Sequence, residues 1–176
     1  MITNLPTPPY PLEGVVSWNM NTTCNYRCSY CTQRFLDDRK RWAKDVPAFV
    51  QAFNALPGDW EVKLSGGEPF AHPRFDEVVE GLARGGRRVS VVTNLSGSDE
   101  TLARFAEATS ARPGLLSASL HLEFVRPAEF FPKLRRLADR PKGKVVATCV
   151  ATRDTLPRLP ALIEEAAALG LTLRAQ

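Results

Sequence analysis

At 176 residues, with 44% hydrophobic and 24% charged residues, the chain suits one compact domain with a sizeable core. It carries no apolar run of membrane-spanning length, and its start, Met1-Ile2-Thr3-Asn4-Leu5-Pro6, has neither the basic residues nor the apolar stretch of a secretory signal. The net charge of +4 is scattered over several predicted helices and turns (Arg39-Lys40-Arg41, Arg84 with Arg87-Arg88, Lys133 through Lys144), a distribution that reads as solvated surface and disfavours nucleic acid as a partner.

Residues 1–14, with Pro6, Pro8, Pro9 and Pro11, form a proline-rich, extended N-terminal extension. Residues 15–176 then read as one core domain. The first strand falls at 15–20 and the first helix carries Val46, Phe49, Val50, Phe53 and Leu56 at helical spacing. A strand at 61–65 leads to a helix with Phe75, Val78, Val79 and Leu82, stopped by Gly85-Gly86. A third strand at 88–93 precedes a helix opened by Ser98 as N-cap, with Asp99 and Glu100 in its first turn. Next come a strand at 115–120, a helix near 128–139 with Pro132 in its first turn, and a strand at 144–150. A helix from about 155 to the glycine stop Gly170 and a last strand at 171–174 complete the pattern. Six strands alternating with helices predict an α/β fold with a parallel sheet and right-handed crossovers. Periodicity alone leaves an open doubly wound sheet and a barrel as alternatives.

In such folds the chemistry sits on loops at the carboxyl ends of the strands, and the polar residues comply. After the first strand comes Cys24-Asn25-Tyr26-Arg27-Cys28-Ser29-Tyr30-Cys31, three thiols in one short run. With no export signal the expected compartment is the reducing cytoplasm, where thiolates favour metal over disulfides. An iron-sulfur cube needs four ligands, so three cysteines leave one iron free to bind something other than protein. Thirty-five residues after Cys31, behind the second strand, comes Gly66-Gly67-Glu68-Pro69. The third strand ends in Thr93-Asn94, the fourth in Ser119 with His121 and Glu123, and the fifth in Thr152-Arg153.

The ordered pair of a Cys-x3-Cys-x2-Cys loop after the first strand and a Gly-Gly-Glu-Pro loop after the second resembles the radical S-adenosylmethionine (SAM) enzymes. The resemblance implies a partial (β/α)6 barrel with parallel strands, open on one side for the substrate. It implies a 4Fe-4S cluster on Cys24, Cys28 and Cys31, with the amino and carboxylate groups of SAM chelating the open iron. One electron from the cluster then splits SAM into methionine and a 5′-deoxyadenosyl radical that abstracts hydrogen from a substrate. The reducing partner would be a protein such as flavodoxin or ferredoxin. Modification of a peptide or protein is the leading substrate class, by similarity to relatives with this core. Small-molecule biosynthesis is its rival.

The same resemblance assigns tasks along the rim, each with an alternative. The backbone of Gly66 and Gly67 would receive the methionine end of SAM, with Pro69 also among the cofactor-binding residues and Glu68 steadying either the ammonium or the loop itself. Tyr30 would lie near the adenine or else pack the first helix. Ser119, in Ala118-Ser119-Leu120-His121, is similar to a Ser-Leu-Asp pattern in which the serine reaches the ribose, although histidine replaces the aspartate here. His121 and Glu123 would serve a substrate proton or the ribose, or would merely be solvated, and Asn94 and Thr152 divide in the same way. His72-Pro73 reads as loop scaffolding and Cys149 as a small core residue. Two non-catalytic readings remain: a zinc or redox-sensing module, with His72 as fourth ligand to the three thiols, and a SAM-binding homologue without turnover. Ending on its sixth strand, the chain leaves a bare edge, which points to an excerpt of a longer protein or to a covering partner.

Overall fold

A computed structural model describes residues 12–33, 38, 40, 42–139 and 144–176. Most of the proline-rich extension, together with Arg39 and Arg41, lies outside the described residues. Six strands, β1 (Gly14–Asn21), β2 (Trp60–Gly66), β3 (Arg88–Thr93), β4 (Pro113–Ser119), β5 (Lys144–Cys149) and β6 (Leu173–Ala175), form one sheet. Their order is sequential, β1 to β6, and every neighbouring pair is parallel. The crossovers carry α1 (Val46–Asn54), α2 (Phe75–Arg84), α3 (Asp99–Ala108), α4 (Pro127–Ala138) and α5 (Leu159–Ala168). Sequential order has no topological switch point, so this is the open α/β sheet of a partial barrel and not the doubly wound alternative.

Alternation along the strands gives the sheet two unlike faces. Val62, Leu64, Val89, Val91, Leu116, Ala118, Ala147 and Cys149 are buried in one apolar cluster with the helices. From α2 alone, Phe75, Val78, Val79 and Leu82 enter that cluster, each contributing roughly 1.5–3 kcal/mol. The intervening positions, among them Asn19, Lys63, Ser65, Ser90, Ser117, Ser119 and Thr148, point to the other face. That face is polar and carries the site.

Local signals act as the sequence reading expects at most boundaries. Ser98 caps α3 by accepting from the Thr101 amide at 3.2 Å, and Gly170 takes φ +67° just beyond α5. Two helix starts differ. Pro127, not Pro132, occupies the first turn of α4, while Pro132 sits inside the helix. An interior proline costs about 3 kcal/mol, which burial of Phe130, Phe131, Leu134 and Leu137 outweighs at roughly 1.5–3 kcal/mol each. Residues 156–158 form a separate 3-10 turn before α5, which places Pro160 in the first turn of that helix.

Several basic residues are engaged within the fold. Arg87 is buried and donates to the carbonyls of Asn54, Leu56 and Gly58. Arg88 and Arg112 share Asp59, and Arg84 pairs with Glu80. Among the described residues no helix is long and apolar enough to cross a membrane.

Candidate functional site

The first two loops are joined through their backbones. Beyond the β1–β2 ladder, the Gly67 amide donates to the Asn21 carbonyl and the Glu68 amide to the Thr23 carbonyl, both at 2.8 Å. That approach is why glycine is required. A Cβ on Gly66, whose φ is +132°, would lie 2.3 Å from the Asn21 oxygen, and one on Gly67 would lie 2.1 Å from the Thr23 oxygen. The glycines therefore seat the second loop against the chain that leads into Cys24, besides lining the cavity described below.

Glu68 is almost fully buried and points away from that cavity. Its carboxylate accepts from the Thr93 hydroxyl at 2.8 Å, the Asn94 amide at 2.7 Å and the Phe70 amide at 3.2 Å. It thus caps the 3-10 turn Pro69–Ala71 and ties β2 to the end of β3. Burial pushes its pKa up, against the pull of these donors. Of its two alternatives, the loop has both carboxylate oxygens. His72 is likewise buried beside this turn, with its Nδ1 accepting from the Arg74 amide at 3.2 Å, outside the cavity.

The cysteine loop has little regular structure, and neighbours hold it from three sides. Asp38 accepts from the Thr22 and Thr23 amides and from the Thr23 hydroxyl at 2.8–2.9 Å. Burial pushes this carboxyl up, but the hydrogen bonds from Thr22 and Thr23 prevail and hold it below the usual carboxylate range. Asn94 donates to the Asn25 side chain at 2.8 Å and approaches the Cys24 sulfur at 3.6 Å. From the far side, Glu123 accepts from the Ser29 amide at 2.9 Å and the Ser29 hydroxyl at 2.5 Å. His121 Nδ1 lies 2.7 Å from the Tyr30 hydroxyl and 3.3 Å from the Cys28 sulfur. Burial holds the His121 imidazole below its ordinary pKa and pushes the Tyr30 phenol up, which favours a neutral ring beside a neutral phenol.

These residues surround one cavity of about 290 Å³. Cys24, Cys28, Cys31, Tyr30, Gly66, Gly67, Asn94, Ser119 and His121 all line it, together with Tyr26 and Gln33. Ser119 shares a 3.2 Å hydrogen bond with Thr148 from β5. Pro69 is buried next to this cavity and not on its wall, and Thr152 closes a local turn with Thr155. Cys149 is a core residue of the opposite sheet face.

All four cysteines are free thiols, and burial raises the pKa of Cys24 and Cys28. A soft metal centre relieves that cost, because coordination replaces the proton. Among the described residues no three histidine, cysteine or carboxylate groups converge on a single-ion site. A cube does not demand such convergence, since each thiolate takes a different iron. Three soft donors lining one cavity with polar neighbours fit the cluster and SAM better than one zinc ion, and His72, outside that cavity, is not placed to be a fourth ligand.

Several residues of the site escaped the sequence reading, among them the cavity-lining Tyr26. Asp38 and Gln33, which donates to the Gly66 carbonyl at 2.7 Å, follow the last cysteine in a stretch without periodicity. Thr148 sat inside an apolar strand, and only alternation, which puts it on the face opposite Cys149, could have flagged it.

A sequential parallel sheet whose first two loops gather three thiols and a glycine turn around one cavity defines an α/β protein with a cluster-type metal centre. The family model of the Radical SAM superfamily matches residues 18–127, and the chain belongs to that superfamily. Its members are enzymes that use a 4Fe-4S cluster and SAM. The chain is 31% identical over 97 residues to an S-adenosylmethionine-dependent nucleotide dehydratase of Psychrobacter lutiphocae, covering 47% of this chain and 33% of that protein. It is 35% identical over 82 residues to a GTP 3',8-cyclase of Stenotrophomonas maltophilia, covering 43% of this chain and 25% of that one. It thus spans a third or less of these curated relatives. Among solved structures, Streptococcus suis SuiB bound to S-adenosylmethionine superposes with a TM-score of 0.65 at 18% identity, over 94% of this chain and 39% of SuiB. BtrN in complex with AdoMet and 2-DOIA gives 0.55 at 15% identity, over 78% of this chain and 57% of that one. At these identities the likeness is one of fold.

Proposed function

We propose that residues 15–176 form the core domain of a cytoplasmic enzyme that reductively cleaves SAM and passes a radical to a substrate. The observation that carries this reading is the joining of the two loops: motifs 35 residues apart are bonded backbone to backbone around one cavity. In this reading Cys24, Cys28 and Cys31 hold the 4Fe-4S cluster, which supplies the electron for cleavage of SAM when bound. The protein's part is to bind, orient and exclude water. Gly66 and Gly67 offer backbone groups to the methionine end, Ser119 and Asn94 offer hydrogen bonds on the opposite wall, and Tyr30 offers a ring edge for the adenine. Glu68 and Pro69 hold the glycine turn in place.

Peptide or protein modification leads as substrate class, supported by the likeness of fold to SuiB, whose structure is also known bound to its precursor peptide SuiA. A second reading, nucleotide chemistry, draws on the higher identity to the dehydratase and the cyclase. The electron would come from a small protein such as flavodoxin or ferredoxin.

The test is formation of 5′-deoxyadenosine by anaerobically reconstituted protein given SAM and a strong reductant, with Cys28→Ala as control. Formation by the wild type alone supports the reading, and absence of product from folded, cluster-loaded wild type refutes it. Stimulation by nucleoside triphosphates but by no peptide would favour the second substrate class.

A further inference from the structure

The loop that leaves β4 meets the cysteine loop at three points with three kinds of contact. His121 Nδ1 lies 2.7 Å from the Tyr30 hydroxyl, and their rings lie at 20° with centroids 6.0 Å apart. Glu123 takes both hydrogen-bond donors of Ser29. Phe124 lies flat on Tyr26, at 8° and 4.6 Å between centroids, although its side is 42% exposed. The β4 loop is itself folded for this: the amides of Phe124 and Val125 both donate to the His121 carbonyl, which fixes residues 121–124 as a tight turn. Among the described residues, the backbone bond within the cysteine loop is Cys31 to the Cys28 carbonyl at 3.0 Å, joined by Arg27 side-chain bonds to the Cys24 and Tyr26 carbonyls, so much of its order comes from outside.

We infer that His121, Glu123 and Phe124 form a latch of positioning residues that holds the Tyr26 to Tyr30 arc in its working shape before any metal arrives. The Asp38 and Asn94 contacts act on the opposite end of the loop, at Thr22 to Asn25, whereas the latch reaches the segment that contains Cys28. A loop preset in this way needs no rearrangement to bind a cluster, and it resists giving the cluster up. The departure from the Ser-Leu-Asp pattern finds its use here, since a histidine at 121 reaches the Tyr30 hydroxyl and supplies a ring face.

The inference rests on the cluster reading for its consequence but not for its geometry, so the experiment has two arms. In metal-free protein, hydrogen exchange is followed across residues 24–31 and, as reference, across α2. In reconstituted protein, the iron-sulfur absorption is followed after addition of a strong chelator. Glu123→Ala and Phe124→Ala are each expected to speed exchange in the arc without changing α2, and to speed bleaching roughly tenfold, the scale of lost support around metal ligands. Glu123→Gln is expected to stay near wild type, because an amide can accept from the Ser29 amide and donate to its hydroxyl. Unchanged exchange in Glu123→Ala overturns the latch, as does exchange that rises equally in α2, which would make the contact a general stabiliser. If wild-type protein takes up no cluster, the cluster reading falls while the exchange arm still decides the latch.

Discussion

Replacing Gly67 with alanine tests whether the two loops act as one unit. The added Cβ would stand 2.1 Å from the Thr23 carbonyl oxygen and 2.5 Å from its carbon, where unstrained contacts begin near 3.4 Å. The strands must therefore part locally by about 1 Å. If they do not, the overpacking strain is about 1–3 kcal/mol. If they do, the two 2.8 Å bonds from Gly67 and Glu68 stretch beyond hydrogen-bond range, at about 0.5–1.5 kcal/mol each. The two routes are alternatives of similar size, so the loss is about 2 kcal/mol, which for a chain of this length lowers the melting temperature by roughly 4–8 °C. Gly86→Ala is the matched control. Its φ of +76° penalises alanine, but nothing lies within 4 Å of the new Cβ and the turn is remote from the cavity, so it costs about 1–2 kcal/mol of stability and leaves cluster retention alone. Calorimetry of both variants, paired with iron and sulfide content after reconstitution, separates the cases. If Gly67→Ala melts like wild type and keeps its cluster, or if Gly86→Ala loses cluster to the same degree, the argument from close approach is refuted.

Asp38→Asn places an amide against the Thr22 and Thr23 donors and should destabilise the protein at neutral pH. Because the Asp38 pKa is lowered in the fold, its contribution is fully present above the unfolded carboxylate value and is lost as pH falls through the folded one, so the melting-temperature gap between wild type and variant should close below about pH 4. Glu68→Gln should cost about 1–3 kcal/mol by facing an amide N–H toward the Asn94 N–H, and since the carboxylate serves the loops, cluster loading and SAM binding should fall together, measured by iron content and by equilibrium dialysis. Cys149→Ala should keep full cluster loading and lose only about 1 kcal/mol of core packing in thermal melts, whereas Cys28→Ala should load no cluster.

The order of elements was legible because each carries a simple period. Val62 and Leu64 alternate with Lys63 and Ser65, and the apolar residues of α2 fall at helical spacing and stop at a glycine pair. The cysteines and the glycine turn were legible because ligand chemistry constrains residue type and spacing at once. What could not be read was reach. Asp38 caps amides fifteen residues upstream, and Glu123 grips a serine ninety-four residues away, and neither contact leaves any local period. The role of the glycines was half visible for the same reason: the sequence announces a close approach without saying to what. Arg87 shows the converse, a residue of an apparent basic cluster that is buried against three carbonyls.

The arrangement also explains why the cysteine loop needs so many neighbours. The segment that presents the three thiols carries no helix or strand, so much of its order has to be imported. Asp38 supplies it at the entry, Gly67 and Glu68 through the sheet edge, Asn94 from β3 and the His121 to Phe124 turn from β4. Each restraint comes from the carboxyl end of a different strand or from the chain just after the loop. A parallel sheet delivers those ends to one side by construction. Thus the fold's contribution is rigidity at a place where the chain has no regular structure of its own, and a change in any one of these restraints should appear first in how firmly the metal centre is held and only second in the stability of the whole.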